Sequence, residues 1–272
     1  MNASRLSPAQ GADATTNLDL LPGLRVAVTG GTSGLGHALV AALVGHRAHV
    51  AFIARNREAL QRAQARFPGA HAIAADVARK EDIHPAALQI TGLLGGLDVL
   101  VNNASSLGPV PLALLGDTEC EAFEQALGTN VLGPFRLTRA LLGALAASAR
   151  EGRGAVVVNV SSDAARQPYP GWGAYGASKA ALLHMTRIWD EEAREDGIRF
   201  LSIDPGDMDT PLHALAVPDA DRATLKAPAH AAAEIVQAIA AALPGPPAAR
   251  GHRHAAPTFG LRGDADAAWG PA

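Results

Sequence analysis

Short apolar runs recur along this chain with segments of helical length between them, and that alternation most tightly constrains what it can fold into. The runs are Arg25 to Thr29, Ala48 to Ile53, Ala70 to Ala75, Leu97 to Val101, Ala155 to Val160 and Ile198 to Ile203. Most are apolar throughout, as strands covered on both faces are. A β-α-β-α succession implies a parallel sheet with helices on both sides, and right-handed crossovers make it doubly wound. The expected architecture is one α/β domain of the Rossmann type, with about six strands in the order 3-2-1-4-5-6.

Composition excludes several alternatives. With 48% apolar and 18% charged residues, a chain of 272 residues can bury a full core, so wholesale disorder is ruled out. A net charge of −3 provides no broad basic field, and no nucleic-acid partner is expected. The single Cys120 excludes an internal disulfide framework and any cysteine-based zinc site. The first 21 residues lack the continuous apolar segment of a secretory signal, and no apolar stretch is long enough to cross a bilayer. A cytoplasmic protein without membrane contact is therefore expected. Residues 1–22 read as a flexible extension, 23–243 as the domain and 244–272 as an irregular tail rich in Pro, Gly and His. No metal site is expected, His252 and His254 of the tail included.

The first strand runs directly into Thr29-Gly30-Gly31-Thr32-Ser33-Gly34-Leu35-Gly36, which opens a helix. Glycines there tolerate positive φ and let the backbone approach a pyrophosphate, whose charge a helix N-terminus stabilises. About twenty residues further on, a dinucleotide fold usually carries an acid for the adenosine 2′-hydroxyl. Here the second strand ends Ile53-Ala54-Arg55-Asn56-Arg57, with no carboxylate, and Arg55 offers a cationic fork suited to a 2′-phosphate. NADP(H) is thus favoured, with NAD(H) as the alternative. Asp76-Val77 after the third run is placed to meet the adenine, and Asn102-Asn103-Ala104-Ser105 ends the fourth, where ligands of open α/β sheets bind.

The reactive groups stand at the other half of the sheet. Ser162 ends the fifth run, and thirteen residues on come Tyr175 and Lys179, four apart on one helix face. An ammonium beside a phenol stabilises its anion, and Ser162 can bind the same substrate oxygen. Only three of the 23 basic residues are lysines, so a lysine beside this tyrosine runs against the chain's own bias.

Taken together, T-G-G-T-S-G-L-G at 29 to 36, Asp76-Val77, N-N-A at 102 to 104, Asn130, V-S-S at 160 to 162, Y-G-A-S-K at 175 to 179, and Pro205-Gly206 with Thr210 resemble the compact branch of the short-chain dehydrogenase/reductase family. The resemblance covers roughly residues 22 to 243. It implies reversible hydride transfer between NAD(P)(H) and a small alcohol or carbonyl substrate, with Tyr175 as general acid/base. Lys179 would lower the Tyr175 pKa and bind the nicotinamide ribose, Ser162 would position the carbonyl, and Asn130 would hold a water linking Lys179 to solvent. Thr29, Gly30, Thr32, Ser33, Gly34, Leu35, Gly36, Arg55, Asp76, Val77, Asn103, Ala104, Ser105, Tyr175, Lys179, Pro205, Gly206 and Thr210 would contact the cofactor.

Three departures stand out: Ser105 replaces the usual Gly after N-N-A, Ser33 replaces a basic residue common in NADP-preferring members, and the seventh strand is missing. The last weakens one family interface, so a homodimer through two long helices, about 118 to 149 and 174 to 196, is expected in preference to a tetramer. The substrate wall is expected from 163 to 172, 105 to 112 and 208 to 217, where Gln167, Tyr169, Trp172 and Met208 suggest an apolar or aromatic substrate and a fairly open pocket. A nucleotide-binding sensor without turnover is the alternative function.

Overall fold

The computed structural model of the chain describes residues 21–244. A six-stranded parallel sheet forms the centre, in the order β3-β2-β1-β4-β5-β6. The strands are β1 (Arg25–Thr29), β2 (His49–Ala54), β3 (His71–Ala74), β4 (Val99–Asn102), β5 (Ala155–Val160) and β6 (Ile198–Ile203), within one or two residues of the apolar runs. The order reverses between β1 and β4, and the crevice at that point lies beyond the carboxyl ends of both strands. Expectations about the chain ends, the missing seventh strand among them, concern residues that lie almost entirely outside the described range.

Side-chain alternation divides the apolar residues of the strands between two cores. Val26, Val28, Val50, Phe52, Val99, Val101, Val156 and Val158 point to one face, covered by α1 (Gly34–Gly45), α2 (Arg57–Arg66) and α8 (Pro228–Ala242). Ala27, Ala51, Ile53, Leu100, Ala155 and Val157 point to the other, under α3 (Lys80–Leu94), α5 (Gly133–Arg150) and α6 (Gly173–Glu192).

The expected helix over 118 to 149 is interrupted. It is α4 (Cys120–Leu127), one π-type turn over Gly128–Leu132, and then α5 with Pro134 in its first turn. Pro cannot donate a helical hydrogen bond, and Gly128 opens the widened turn while Gly133 follows it. That turn sets Asn130, fully buried, against the start of α6.

At the opposite end of the sheet Asp98 is buried beneath Arg25 and Arg153. Burial pushes its carboxyl up, but hydrogen bonds from Arg153, Arg25 and Ser148 outweigh that and hold it well below the usual carboxylate range. The cluster ties β1, β4 and α5 together far from the crevice, so we read it as structural.

Candidate functional site

The glycine turn is pressed between β2 and the end of β4, and its residue types follow from that crowding. A Cβ on Gly31 would lie 2.6 Å from the Phe52 Cβ. One on Gly36 would lie 2.1 Å from the Gly30 carbonyl oxygen and 2.5 Å from Asn103 Nδ2. Gly30 and Gly34 both have positive φ, at 70° and 50°. The turn is tied from behind: Asn103 Nδ2 donates to the Thr29 carbonyl at 2.8 Å, and the Asn103 and Ala104 amides donate to Thr29 Oγ1 at 2.9 and 3.0 Å. Thr29 is therefore buried behind the turn and does not line the cavity in front of it. Thr32 through Gly36, by contrast, border that cavity, with the N-terminus of α1 facing into it.

This cavity, about 800 Å³, runs along the crevice from Arg55 to Tyr175. At one end Arg55 is largely exposed, 3.7 Å from Asp76 Oδ2. The other Asp76 oxygen accepts from the Ala78 amide, so this carboxylate is anchored to its own loop. Val77, Asn103, Ala104, Ser105, Pro205, Gly206 and Thr210 line the middle and far walls. Thr210 also caps α7 (Pro211–Ala216), accepting from the His213 amide at 3.2 Å.

The far end holds Ser162, Tyr175 and Lys179. Two elements supply them: Ser162 follows the end of β5, and the other two lie on successive turns of α6. Lys179 is 2% exposed, donates to the Val160 carbonyl at 2.7 Å, and its Nζ sits 5.5 Å from the centre of the Tyr175 ring. Burial pulls the lysine down to about 8, opposed by Asp204. Burial likewise pushes the Tyr175 phenol up to about 12, against partial relief from Ser162 and Ser105; the carboxylates of Asp204 and Asp163 add to the rise. The phenol is thus raised where a lowering by Lys179 was expected: burial dominates, while the ammonium bonds to the Val160 carbonyl and lies over the ring face.

Asn130 does not line the cavity. Its Nδ2 donates to the Ser106 carbonyl and Ser178 Oγ, both at 2.8 Å, while its Oδ1 accepts from Ser105 Oγ at 3.1 Å and the Ser106 amide at 2.8 Å. Both donors and both acceptor positions are taken by protein groups. A water linking Lys179 to solvent would have to rest on a main-chain carbonyl here.

Around the reactive groups, Trp172 meets the Tyr175 ring edge-on at 5.7 Å, and Leu107, Ala164, Leu212 and Ala216 complete an apolar patch. Gln167 borders a separate shallow recess instead. Asp163 stands at the start of the wall expected over 163 to 172, whereas the carboxylates of Asp204, Asp207 and Asp221 fall outside the expected segments. Asp163 accepts from Ser162 Oγ and from the Tyr169 hydroxyl, and Asp204, Asp207 and Asp221 also line the cavity. Their positions just after β5 and β6 and beyond were the available signal, since those ends bound the crevice.

The chain is similar to known proteins over most of its described residues. The short chain dehydrogenase family profile matches residues 25–221. The chain is 34% identical over 190 residues to 2-(R)-hydroxypropyl-CoM dehydrogenase of Xanthobacter autotrophicus, covering 68% of this chain and 74% of the relative. It is 31% identical over 190 residues to a sorbitol dehydrogenase of Cereibacter sphaeroides, covering 70% and 72%. Among solved structures, a 3-ketoacyl-(acyl-carrier-protein) reductase of Brucella melitensis complexed with NADH superimposes with a TM-score of 0.73 at 27% identity, covering 79% of this chain and 90% of that one. A Shigella flexneri chain described as a short chain dehydrogenase and complexed with NADP gives 0.72 at 28% identity, covering 78% and 89%. Among the described residues, no helix is long and apolar enough to cross a membrane.

Proposed function

Because this chain belongs to the short-chain dehydrogenase family of oxidoreductases, we propose that it is an NADP(H)-preferring carbonyl reductase or alcohol dehydrogenase with Tyr175 as its proton donor and acceptor. The observation that carries the reading is the buried Tyr175–Lys179 pair at one end of a cavity whose other end is a glycine cradle and Arg55. Relatives named as dehydrogenases, and neighbours solved with NADH or NADP, support the same class.

The residues present fit a nicotinamide dinucleotide. Gly30 and Gly36 let the turn fold tightly against the end of β4, the α1 N-terminus faces the cavity, and Arg55 stands at the adenosine end. Such a cofactor supplies or takes up hydride at its nicotinamide ring when bound. The chain's own residues do the rest. Ser162 donates to the carbonyl oxygen after turning from Asp163, and the Tyr175 phenol, protonated at neutral pH, gives that oxygen its proton. Lys179 holds its charge beneath the phenol and offers the ribose a donor, while Trp172 and Leu107 keep water from the reacting carbon.

The phenol at about 12 and the lysine at about 8 favour carbonyl reduction at neutral pH. Reduction is expected to hold level below pH about 8 and to decline above it as Lys179 loses its proton, whereas alcohol oxidation rises with pH as phenolate forms. Reduction that instead climbs steadily through that range contradicts the assignment. Arg55→Asp is expected to lower the NADPH-over-NADH preference in kcat/KM roughly tenfold or more, and an unchanged ratio removes the 2′-phosphate role. The test of the activity itself is NADPH oxidation with a panel of aldehydes and ketones. With Asp163, Asp204 and Asp207 on the wall, neutral carbonyls are expected to outperform their carboxylate-bearing counterparts.

A sensor without turnover needs only the glycine end, and the burial of Lys179 against Tyr175 favours the enzyme. The assembly we propose is a homodimer through α5 and α6, whose exposed Phe135 and Ile188 suit such an interface. Light scattering giving the mass of two chains is expected; a tetramer or monomer contradicts it.

A further inference from the structure

Ser162 and Tyr175 share their cavity wall with the carboxylates of Asp163, Asp204, Asp207 and Asp221. Few cations balance them. Lys179 is 2% exposed and donates to the Val160 carbonyl, and His213 lies 3.9 Å from Asp207. Arg222 and Lys226, on either side of the lining residues Thr224 and Leu225, are taken up by Asp209 and Glu234. Among the described residues, Asp163, Asp204 and Asp221 pair with no lysine, arginine or histidine within 4.0 Å.

Asp163 is the carboxylate tied to the reacting groups. Its Oδ1 accepts from Ser162 Oγ at 3.0 Å and from the Ala164 amide at 2.7 Å, and its Oδ2 accepts from the Tyr169 hydroxyl at 2.8 Å. All three donors are neutral, so the charge stays uncompensated, and Oδ2 keeps a free lone pair. The rings of Tyr169 and Trp172 border the same space, and aromatic faces attract ammonium groups. Tyr175, 8% exposed, makes no hydrogen bond through its hydroxyl among the described residues, which leaves it open to a substrate oxygen in this cavity.

We infer that the substrate is a cationic carbonyl compound, an amino ketone or amino aldehyde with a protonated or quaternary nitrogen, and that Asp163, Tyr169 and Trp172 receive its charged end. The inference rests on the proposed reductase activity and names its substrate class. Asp163 stands one hydrogen bond from the serine that holds the carbonyl oxygen, so the nitrogen belongs a few atoms from the carbonyl. That nitrogen takes no part in the reaction: the carbonyl carbon gains hydride from the dinucleotide and its oxygen gains the Tyr175 proton, giving an amino alcohol. Asp204, Asp207 and Asp221 add a field of the same sign, which gathers cations and repels anions.

Three methyl ketones of equal length test this, with a three-carbon chain ending in trimethylammonium, in its neutral isostere tert-butyl, or in carboxylate. With NADPH, the parent is expected to favour the trimethylammonium ketone over the tert-butyl ketone by about tenfold or more in kcat/KM, and added salt is expected to shrink that ratio. Asp163→Asn is expected to reduce the ratio to about threefold or less. Asparagine keeps an oxygen that can accept from Ser162, the ratio cancels any loss of rate common to both ketones, and melting curves verify the fold. Equal rates for the two ketones in the parent, or a ratio that survives Asp163→Asn, overturns the inference. So does a ratio near one accompanied by weakened NADP+ binding in Asp163→Asn, which would assign the carboxylate to the oxidised nicotinamide. Saturation-transfer NMR of the same ketones with NADP+, a pairing that cannot react, reads binding alone. Preferential binding of the trimethylammonium ketone, lost in Asp163→Asn, by a protein that reduces none of the three would leave the cation site standing and defeat the proposed activity. Absence of that preference in binding overturns the inference.

Discussion

Tyr175→Phe is expected to lower kcat/KM about a thousandfold while NADPH affinity stays within about threefold of the parent. The ring itself does structural work, meeting Trp172 edge-on and closing an apolar patch with Leu107 and Ala164, and phenylalanine keeps all of that. What is lost is one hydroxyl, buried in the cavity wall beside Ser162. Proton transfer by a placed side chain contributes roughly two to four powers of ten, so a smaller loss would mean that water or Ser162 carries the proton. Stopped-flow or steady-state NADPH oxidation gives the rate, and fluorescence titration with NADPH gives the affinity. A variant with a rate within about fivefold of the parent contradicts the role given to Tyr175.

The second large effect belongs to the opposite end of the cavity. Gly36→Ala is expected to weaken dinucleotide binding by about a hundredfold or more. The added Cβ meets the Gly30 carbonyl at 2.1 Å and Asn103 Nδ2 at 2.5 Å, and the carbonyl is backbone that cannot rotate aside. The turn must lift from the end of β4, breaking the Asn103 bonds to Thr29 and Gly30 that fix its shape. Gly45→Ala in the same helix is the control, since nothing lies within 4 Å of a Cβ there. Calorimetric titration of both variants, with melting curves alongside, separates loss of the cradle from loss of the fold. Equal affinity in Gly36→Ala and the parent would show that the turn does not hold the pyrophosphate.

The parallel sheet was legible because its strands are nearly uniform in apolar character and its helices are not. Residues such as Val26, Ala27 and Val28 are buried on both faces, leaving no alternation to misread. The glycine turn was legible because backbone crowding admits few residue types. The broken helix was not: Gly128 and Gly133 are ordinary enough, and the widened turn arises from how Asn130 packs against Ser178, a contact 48 residues apart in sequence. The electrostatics of Tyr175 and Lys179 were also beyond reach. Spacing put the two groups on one face, but the sign of the shift depended on burial that only the closed wall around them provides. Asn130 was found by resemblance, while the four bonds that saturate its side chain came from the loop after β4. Asp204, Asp207 and Asp221 were missed because isolated aspartates read as caps and turns until the strand ends bring them to one crevice.

The central claim is that this cavity holds a reduced dinucleotide and a carbonyl side by side while Tyr175 protonates the carbonyl oxygen. Its most direct test uses NADPH carrying deuterium at the transferable position of the nicotinamide, with the best carbonyl from the panel. The account predicts an alcohol product that carries one deuterium on the former carbonyl carbon, formed by the parent chain and nearly absent with Tyr175→Phe. Binding of NADPH with no labelled alcohol from any carbonyl would contradict it.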